Sequence, residues 1–408
     1  LAVGGSLGDL DDYRWLVGSH ASVLLRELSE HNESSLTANR RLRKTLSPER
    51  TRLVLEQLEL RRRARQKFSR ADQLFFDRVA LEQATDEWIA EHKARRFSTQ
   101  PVADLCCGIG GDMMALAAGR VAVGFDRDPI KCLLAAANLD ALGLRAQSEI
   151  RVGDAIAIDL AAFAAWHIDP DRRAHGRRTV SLSDYVPDAD ALAQLLARQP
   201  QGAIKLAPAT DVPRQWSEAC ELEWISRDGQ CRQLVCWFGS LAHRCGERAA
   251  TMVGRQGEWT HSVVGQPHLE LPVEPLRAFL YEPDPAVLAA KLTGAVGTTY
   301  GLSAIAPASA YLTSDRFIDA RAISAFAVLA ILPFDRKKLR AELRKRRIGR
   351  LEIKKRAVQI DPERLRGELD LSGDNGGTLF VTTIGGRATA ILAQRCPVGH
   401  PDSSHQTA

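Results

Sequence analysis

An α/β fold built on a parallel sheet, with helices on both faces, is what this sequence predicts, and three observations predict it. From residue 102 onward, short apolar runs alternate with helical patterns, as parallel strands joined by crossover helices require. The run Val102-Ala-Asp-Leu-Cys-Cys-Gly-Ile-Gly-Gly111 carries an apolar strand straight into a glycine-rich turn, and Asp112-Met-Met-Ala-Leu-Ala continues as a helix. A second strand, Val121-Ala-Val-Gly-Phe, ends in Asp126, sixteen residues after Gly110. Glycine lets backbone approach a ligand closely, and an acid at the tip of the next strand can accept hydrogen bonds from ribose hydroxyls. Together these residues describe a nucleoside pocket at the carboxyl ends of parallel strands.

In chain order, residues 1–98 are expected to form a helical extension. Apolar residues recur at helical spacing through Arg52-Leu-Val-Leu-Glu-Gln-Leu-Glu-Leu60, and Ala80-Leu-Glu-Gln-Ala-Thr-Asp-Glu-Trp-Ile-Ala90 is strongly helix-forming. Ser98, Thr99 and Pro101 mark the boundary to a domain over 99–280. Its strands are expected at 102–106, 121–125, 149–152, 163–168 and 202–206, and its helices at 111–118, 129–142 and 188–198. Residues 221–264 read as antiparallel strands with Asp228-Gly229 as a tight turn. Pro272, Pro275, Pro283 and Pro285 form a connector. A smaller α+β domain follows over 281–396. Its expected strands are 324–331, 349–354, 378–384 and 387–394, its helices 335–346 and 361–369, and Ile384-Gly-Gly-Arg387 a hairpin turn. The polar tail 397–408 is expected to be disordered.

At 408 residues the chain has room for two or three domains, and 45% apolar content supports full cores. No apolar run reaches the length of a transmembrane helix, and no signal peptide is visible at the start given. Eight cysteines lie scattered without a dense framework, which suits a reducing cytoplasm as the expected location. Cys231, Cys236, Cys245 and His243 match no common zinc spacing, so no metal is expected. Net charge is +5 but unevenly placed: residues 336–356 hold twelve Lys or Arg against Glu342 and Glu352. Residues 61–70 hold Arg61, Arg62, Arg63, Arg65, Lys67 and Arg70. Solvated helix faces are the plainer reading of any one charge run. Two clusters flanking the sheet favour a polyanionic partner, RNA in particular.

The dinucleotide fingerprint G-x-G-x-x-G is absent; the pattern is Asp104-x-x-x-Gly108-x-Gly110-Gly111, followed at once by Asp112. An acid there is expected to repel a pyrophosphate on the helix N-terminus and to tolerate a cationic, phosphate-free ligand. S-adenosylmethionine, with its sulfonium and amino-acid tail, is such a ligand, and Asp104 would face its ammonium group directly or through a water. The stretch resembles motif I of the class I methyltransferases, and Phe125-Asp126-Arg127-Asp128-Pro129 resembles the ribose-binding acid of the next motif. Ile150-Arg-Val-Gly-Asp154-Ala155 is a third match, where the family's acid contacts the adenine amine. The resemblance covers residues 99–240 and implies a Rossmann-like, seven-stranded core with S-adenosylmethionine as cofactor. It implies Asp104, Cys106, Gly108, Gly110 and Gly111 around the cofactor tail, Asp126 and Arg127 at the ribose, and Asp154 and Ala155 at the adenine. Taken singly these have plainer readings: any strand-to-helix turn, a helix N-cap before Pro129 for Asp126, a loop acid for Asp154.

In that family the fourth strand delivers the residues that meet the methyl acceptor. Here it ends Trp166-His-Ile-Asp169-Pro170-Asp171-Arg172-Arg173. Asp169 would orient an attacking nitrogen, Pro170 would set the turn, and Arg172 and Arg173, with Arg177 and Arg178, would grip a phosphate or acidic substrate. No aromatic follows Pro170, unlike the amino-directed base methyltransferases and trimethylguanosine synthases. Asp169-Pro-Asp-Arg172 partly resembles the uridine-C5 methyltransferases, but Ala203-Ile-Lys205-Leu-Ala-Pro208 lacks their nucleophilic cysteine. Lys205 points either near the pocket or along the strand edge. Phe75-Phe-Asp77-Arg78 through Thr85 resembles the segment that closes over cofactor and substrate in trimethylguanosine synthase relatives, with Glu82 and Gln83 in that part. The C-terminal unit is similar to THUMP-like domains attached to some bacterial methyltransferase-fold proteins; true THUMP domains bind RNA. The expected function is therefore S-adenosylmethionine-dependent methylation of RNA, by in-line transfer to a nitrogen. The residues leave open a non-catalytic RNA- or protein-binding platform, and methylation of a small acidic metabolite or a protein.

Overall fold

The structure is a computed structural model that describes residues 7–31, 35–172, 179–307 and 309–397. Helices α1 (Leu7–Leu16), α2 (Ser19–His31), α3 (Ser35–Leu42), α4 (Pro48–Ala64), α5 (Arg78–Gln83) and α6 (Glu87–Ala94) come first. Their starts are written locally. Ser47, Asp77 and Asp86 accept from the backbone N–H three residues on, and Pro48 takes the first position of α4, where a missing donor breaks no bond.

An alternating stretch follows: β1 (Val102–Leu105), α7 (Gly111–Ala117), β2 (Ala122–Asp126), α8 (Pro129–Ala141), β3 (Ser148–Val152), β4 (Ala165–Ile168), α9 (Ala189–Arg198) and β5 (Gly202–Leu206). Strands β1, β2 and β4 are buried along their whole length, as strands covered on both faces must be. After α10 (Arg214–Ala219) come β6 (Glu221–Arg227), β7 (Gln230–Trp237), β8 (Arg248–Val253) and β9 (Thr260–Gly265). Asp228 and Gly229 both take positive φ, 52° and 66°, the tight hairpin turn the sequence predicts.

The sheet order is β3-β2-β1-β4-β5-β7-β6-β8-β9. The first five strands are parallel, and β7 returns antiparallel to β5. The expected seven strands are followed by two more, β8 and β9. The chain steps outward from β1 to β2 and β3, then comes back to lay β4 on the other side of β1. That reversal falls between β1 and β4, and open α/β sheets bind their ligands in the crevice beyond the carboxyl ends of such strands.

The remaining elements are β10 (Phe279–Pro283), α11 (Pro285–Ala290), α12 (Thr293–Tyr300), β11 (Ser303–Ala304), β12 (Leu312–Ser314), β13 (Ile323–Pro333), α13 (Arg336–Lys345), β14 (Ile348–Lys355), α14 (Pro362–Glu368), β15 (Asn375–Ile384) and β16 (Arg387–Arg395). They form a second sheet in the order β11-β12-β10-β13-β16-β15-β14. The proline-rich stretch is more than a connector, because β10 lies inside it. Pro283 sits opposite Ile323 at the end of the β10–β13 ladder, a place that tolerates a residue without an N–H. Leu339 and Leu343 of α13, Leu365 of α14 and Leu369 just after it pack with Leu351, Leu379 and Leu392. Phe326, Phe380, Tyr311 and Ile391 form a separate core. The chain divides into two compact units, Leu1–Leu222 with Gln233–Gly246 and Val253–Trp259, and Glu223–Arg232 with Glu247–Met252 and Thr260–Ala408. Among the described residues no helix is long and apolar enough to cross a membrane.

Candidate active site

The turn after β1 is shaped by left-handed backbone at Cys106 (φ 55°), Gly108 (φ 57°) and Gly110 (φ 88°). For Cys106, a side-chain-bearing residue, that conformation costs about 1–2 kcal/mol. Asp126 fastens the turn: its Oδ2 accepts from Gly108 N at 2.9 Å and its Oδ1 from Asp128 N at 2.9 Å. Each oxygen keeps a further lone pair. The N-cap of α8 belongs to Asp128, which accepts from Ile130 N and Lys131 N. Gly153 N donates to the Asp126 carbonyl at 3.0 Å, tying the tip of β3 to that of β2. Beyond it Asp154 is exposed and caps a short turn through Ile156 N, with Ala155 buried; Arg127 is exposed.

The three glycines expected around the cofactor tail differ. A Cβ on Gly108 would meet nothing within 4 Å. One on Gly110 would touch Ala135 at 3.5 Å, and one on Gly111 would lie 3.0 Å from Thr85 O and 3.2 Å from Thr85 N. Gly108 therefore faces open space, while Gly111 makes room for the α5–α6 link. The Cys106 thiol is pushed well above its ordinary range by burial first, then by Asp126, Asp169 and Asp104. The carboxylates of Asp126, Asp169 and Asp104 are thus all near enough to act on this thiol, with Arg127 opposing them.

At the tip of β4, Asp169 N donates to Leu105 O at 3.3 Å. One carboxylate oxygen of Asp169 takes the Lys205 ammonium, which also donates to Gln83 O at 3.3 Å. Gln83 Nε2 donates to Asp171 Oδ1 at 3.1 Å, so the end of α5 reaches the β4 tip as the sequence suggests. Glu82 instead is exposed and lies 3.8 Å from Arg63. Pro170 is buried and Arg172 half-buried; Arg173, Arg177 and Arg178 lie outside the described residues.

Asp104 belongs to a buried charged network that sequence reasoning missed. Its register partner on β4 is His167, whose Nδ1 lies 2.7 Å from Asp104 Oδ1. His167 Nε2 is 3.2 Å from Lys93 Nζ of α6. Lys93 in turn is 2.6 Å from Asp112 Oδ1, and Thr85 Oγ1 donates to Asp112 Oδ2 at 2.6 Å. Asp104 Oδ2 is buried without a hydrogen-bond partner. Burial pushes Asp104 above the ordinary carboxylate range, with His167 opposing, and pushes Lys93 down, with Asp112 opposing. At Asp112 burial alone would raise the carboxyl, but Lys93, His167 and Lys205 together hold it well below its ordinary range.

Asp112 is thus not the ligand-facing acid the sequence suggests. Its charge is met inside by Lys93, at 2.6 Å. Two signals could have revealed the network. Lys93 continues the buried stripe Ile89, Ala90, Lys93, Ala94 of α6, and His167 interrupts an otherwise apolar, fully buried strand. Buried Asn138 was also missed: it bonds Phe75 N and O at 2.7 and 3.1 Å and Ile109 O at 2.9 Å, joining α8, the N-terminal segment and the glycine turn.

The two basic clusters differ in kind. In 61–70, buried Arg61 donates to Leu74 O at 2.9 Å and stacks on Phe75. Lys67 is held by the carbonyls of Leu81, Glu82 and Ala84, and Arg65 pairs with Asp72. That cluster is mostly internal fastening. In 336–356, Arg336, Arg340, Arg346, Arg347 and Lys354 pair with local acids. Lys337, Lys338, Arg344 and Lys345 of α13 are exposed.

The family model described as THUMP domain-like matches residues 323–395, and a domain of unknown function matches residues 9–64. Over 354 residues the chain is 34% identical to an uncharacterized S-adenosylmethionine-dependent methyltransferase of Mycobacterium tuberculosis, strain CDC 1551 / Oshkosh, covering 84% of this chain and 96% of that protein. The protein of that description from strain ATCC 25618 / H37Rv matches with the same values. The crystal structure of a presumptive methyltransferase from Porphyromonas gingivalis W83 shares the fold, with a TM-score of 0.76 at 20% identity over 97% of this chain and 100% of that one. The crevice fits the cofactor: Asp104 offers an unpartnered acceptor and Gly108 an open side. A match of this identity across nearly the whole of its relatives makes the chain a member of the S-adenosylmethionine-dependent methyltransferase family, an enzyme whose cofactor is S-adenosylmethionine.

Proposed function

We propose that this methyltransferase modifies RNA, at a nitrogen atom. The observation that carries the RNA reading is the exposed quartet Lys337, Lys338, Arg344 and Lys345 on α13, for which no acidic partner is found among the described residues. The THUMP domain-like match over the same segment supports it. Phosphate contacts of this kind supply affinity rather than sequence choice.

At the crevice, Asp126 takes the ribose, Asp154 and Ala155 the adenine, and Asp104 the ammonium of the tail. The cofactor supplies an electrophilic methyl group on a positive sulfur. Asp169, held by Lys205 at the tip of β4, accepts a hydrogen bond from the attacking N–H and fixes its direction. Arg172 grips the substrate, and the sequence offers Arg173 next to it in the chain for the same task. The half-buried Asp169 and its pairing with a lysine favour nitrogen over a carbon acceptor, since no cysteine stands on β5 or directly after it.

The test is methyl transfer from tritiated S-adenosylmethionine into total cell extract, separated into RNA, protein and small-molecule pools. Label is expected in RNA. Label in either other pool with none in RNA overturns the proposal.

A further inference from the structure

We propose that Lys93, Asp112 and His167 are positioning residues that orient Asp104 so that one carboxylate oxygen is left for the ammonium group of the cofactor's amino-acid tail. This rests on the reading that Asp104 faces that tail. The hydrogen-bond directions carry the argument. A lysine ammonium only donates, so at 3.2 Å from Lys93 Nζ the His167 Nε2 accepts. The ring proton is then on Nδ1, which donates to Asp104 Oδ1 at 2.7 Å. Asp104 Oδ2 is the acceptor the network does not use.

The charges point the same way. The group sets two acidic side chains, Asp104 and Asp112, against one lysine and one imidazole. All four residues are at most 8% exposed. An uncompensated buried charge is unfavourable, and a second ammonium, bound at Oδ2 directly or through one water, completes the set. Lys93 lies on α6 and Thr85 just before it. The helical extension therefore supplies part of the cofactor site.

A purely structural ion network would support every ligand of the crevice equally; a positioning network supports only the tail. Two ligands separate these. S-adenosylhomocysteine carries the amino-acid tail, and 5′-methylthioadenosine keeps the nucleoside without it. Calorimetry on the full chain is expected to show S-adenosylhomocysteine bound more tightly. Lys93→Met should cut that preference about tenfold, as losing a charge-assisted hydrogen bond does, and leave methylthioadenosine binding unchanged. His167→Asn, whose amide nitrogen replaces the Nδ1–H donor, should keep most of the preference. Equal weakening of both ligands, or an intact preference in Lys93→Met, overturns the proposal.

Should Lys93→Met not fold, the wild-type protein still decides. With ¹⁵N-labelled histidine, the His167 Nδ1–H resonance, assigned by its loss in His167→Asn, should move on adding S-adenosylhomocysteine and stay put with methylthioadenosine. Indifference to both ligands, or the same response to both, overturns it. Wild-type protein that binds neither ligand would instead defeat the reading that the crevice takes this cofactor.

Discussion

Gly108 N donates to Asp126 Oδ2 at 2.9 Å, so the open glycine of the first turn and the acid at the tip of β2 form one unit. The carboxylate assigned to the ribose also holds the backbone that the cofactor tail would lie along. Asp126 is buried, and its other oxygen is engaged by Asp128 N. Removing it therefore perturbs both shape and recognition.

Asp126→Ala is expected to abolish S-adenosylhomocysteine binding in calorimetry. It should also lower stability by about 2–3 kcal/mol, since two N–H donors lose their acceptor. Binding at wild-type strength would remove Asp126 from the cofactor site.

Gly108→Ala and Gly111→Ala should fail in opposite ways. Alanine at 108 enters open space, so apart from backbone strain of about 1–2 kcal/mol the loss should be of S-adenosylhomocysteine affinity. Alanine at 111 meets Thr85 backbone at 3.0 Å, and the loss should be of stability, about 1–3 kcal/mol. Thermal denaturation paired with calorimetry reads both; the reverse pattern would move the ligand to the other side of the turn.

Lys205→Met leaves Asp169 without its cation. Methyl transfer is expected to fall about 100-fold while S-adenosylhomocysteine affinity stays at the wild-type value. A matching fall in both would make the pair structural. Transfer is read as tritium incorporated into the RNA pool.

Acid should expose the role of Asp112. Against burial, which raises it, Lys93, His167 and Lys205 hold its carboxyl below the ordinary range in the folded protein, so the unfolded chain binds more protons as pH falls through that range. The stabilisation is present above the ordinary carboxylate pKa and is lost on acidification below it. Asp112→Asn, which breaks a buried pair, should cost about 3–5 kcal/mol at neutral pH and show a shallower further loss in acid. Urea midpoints from pH 6 down to pH 2.5 check this; parallel curves for the two proteins would contradict it.

The sequence by itself determined what is written over short distances. The β1 turn, the aspartate start of α14, and the Asp228-Gly229 hairpin lie where local spacing puts them, because each is specified by a few neighbouring residues. Alternating apolar runs made the parallel strands legible, since burial on both faces leaves a continuous apolar record. Only the tertiary structure decided which acids are paired inside the protein. Asp104 and Asp112 look alike in sequence, yet Asp112 meets Lys93 from a helix nineteen residues earlier, while Asp104 keeps an unpartnered oxygen. Likewise Arg61 and Lys67 read as surface cations and proved to be internal donors to backbone carbonyls. A charge's role depends on the partners that folding brings within a few ångströms, and those partners come from elements whose order along the chain says nothing of their distance in space.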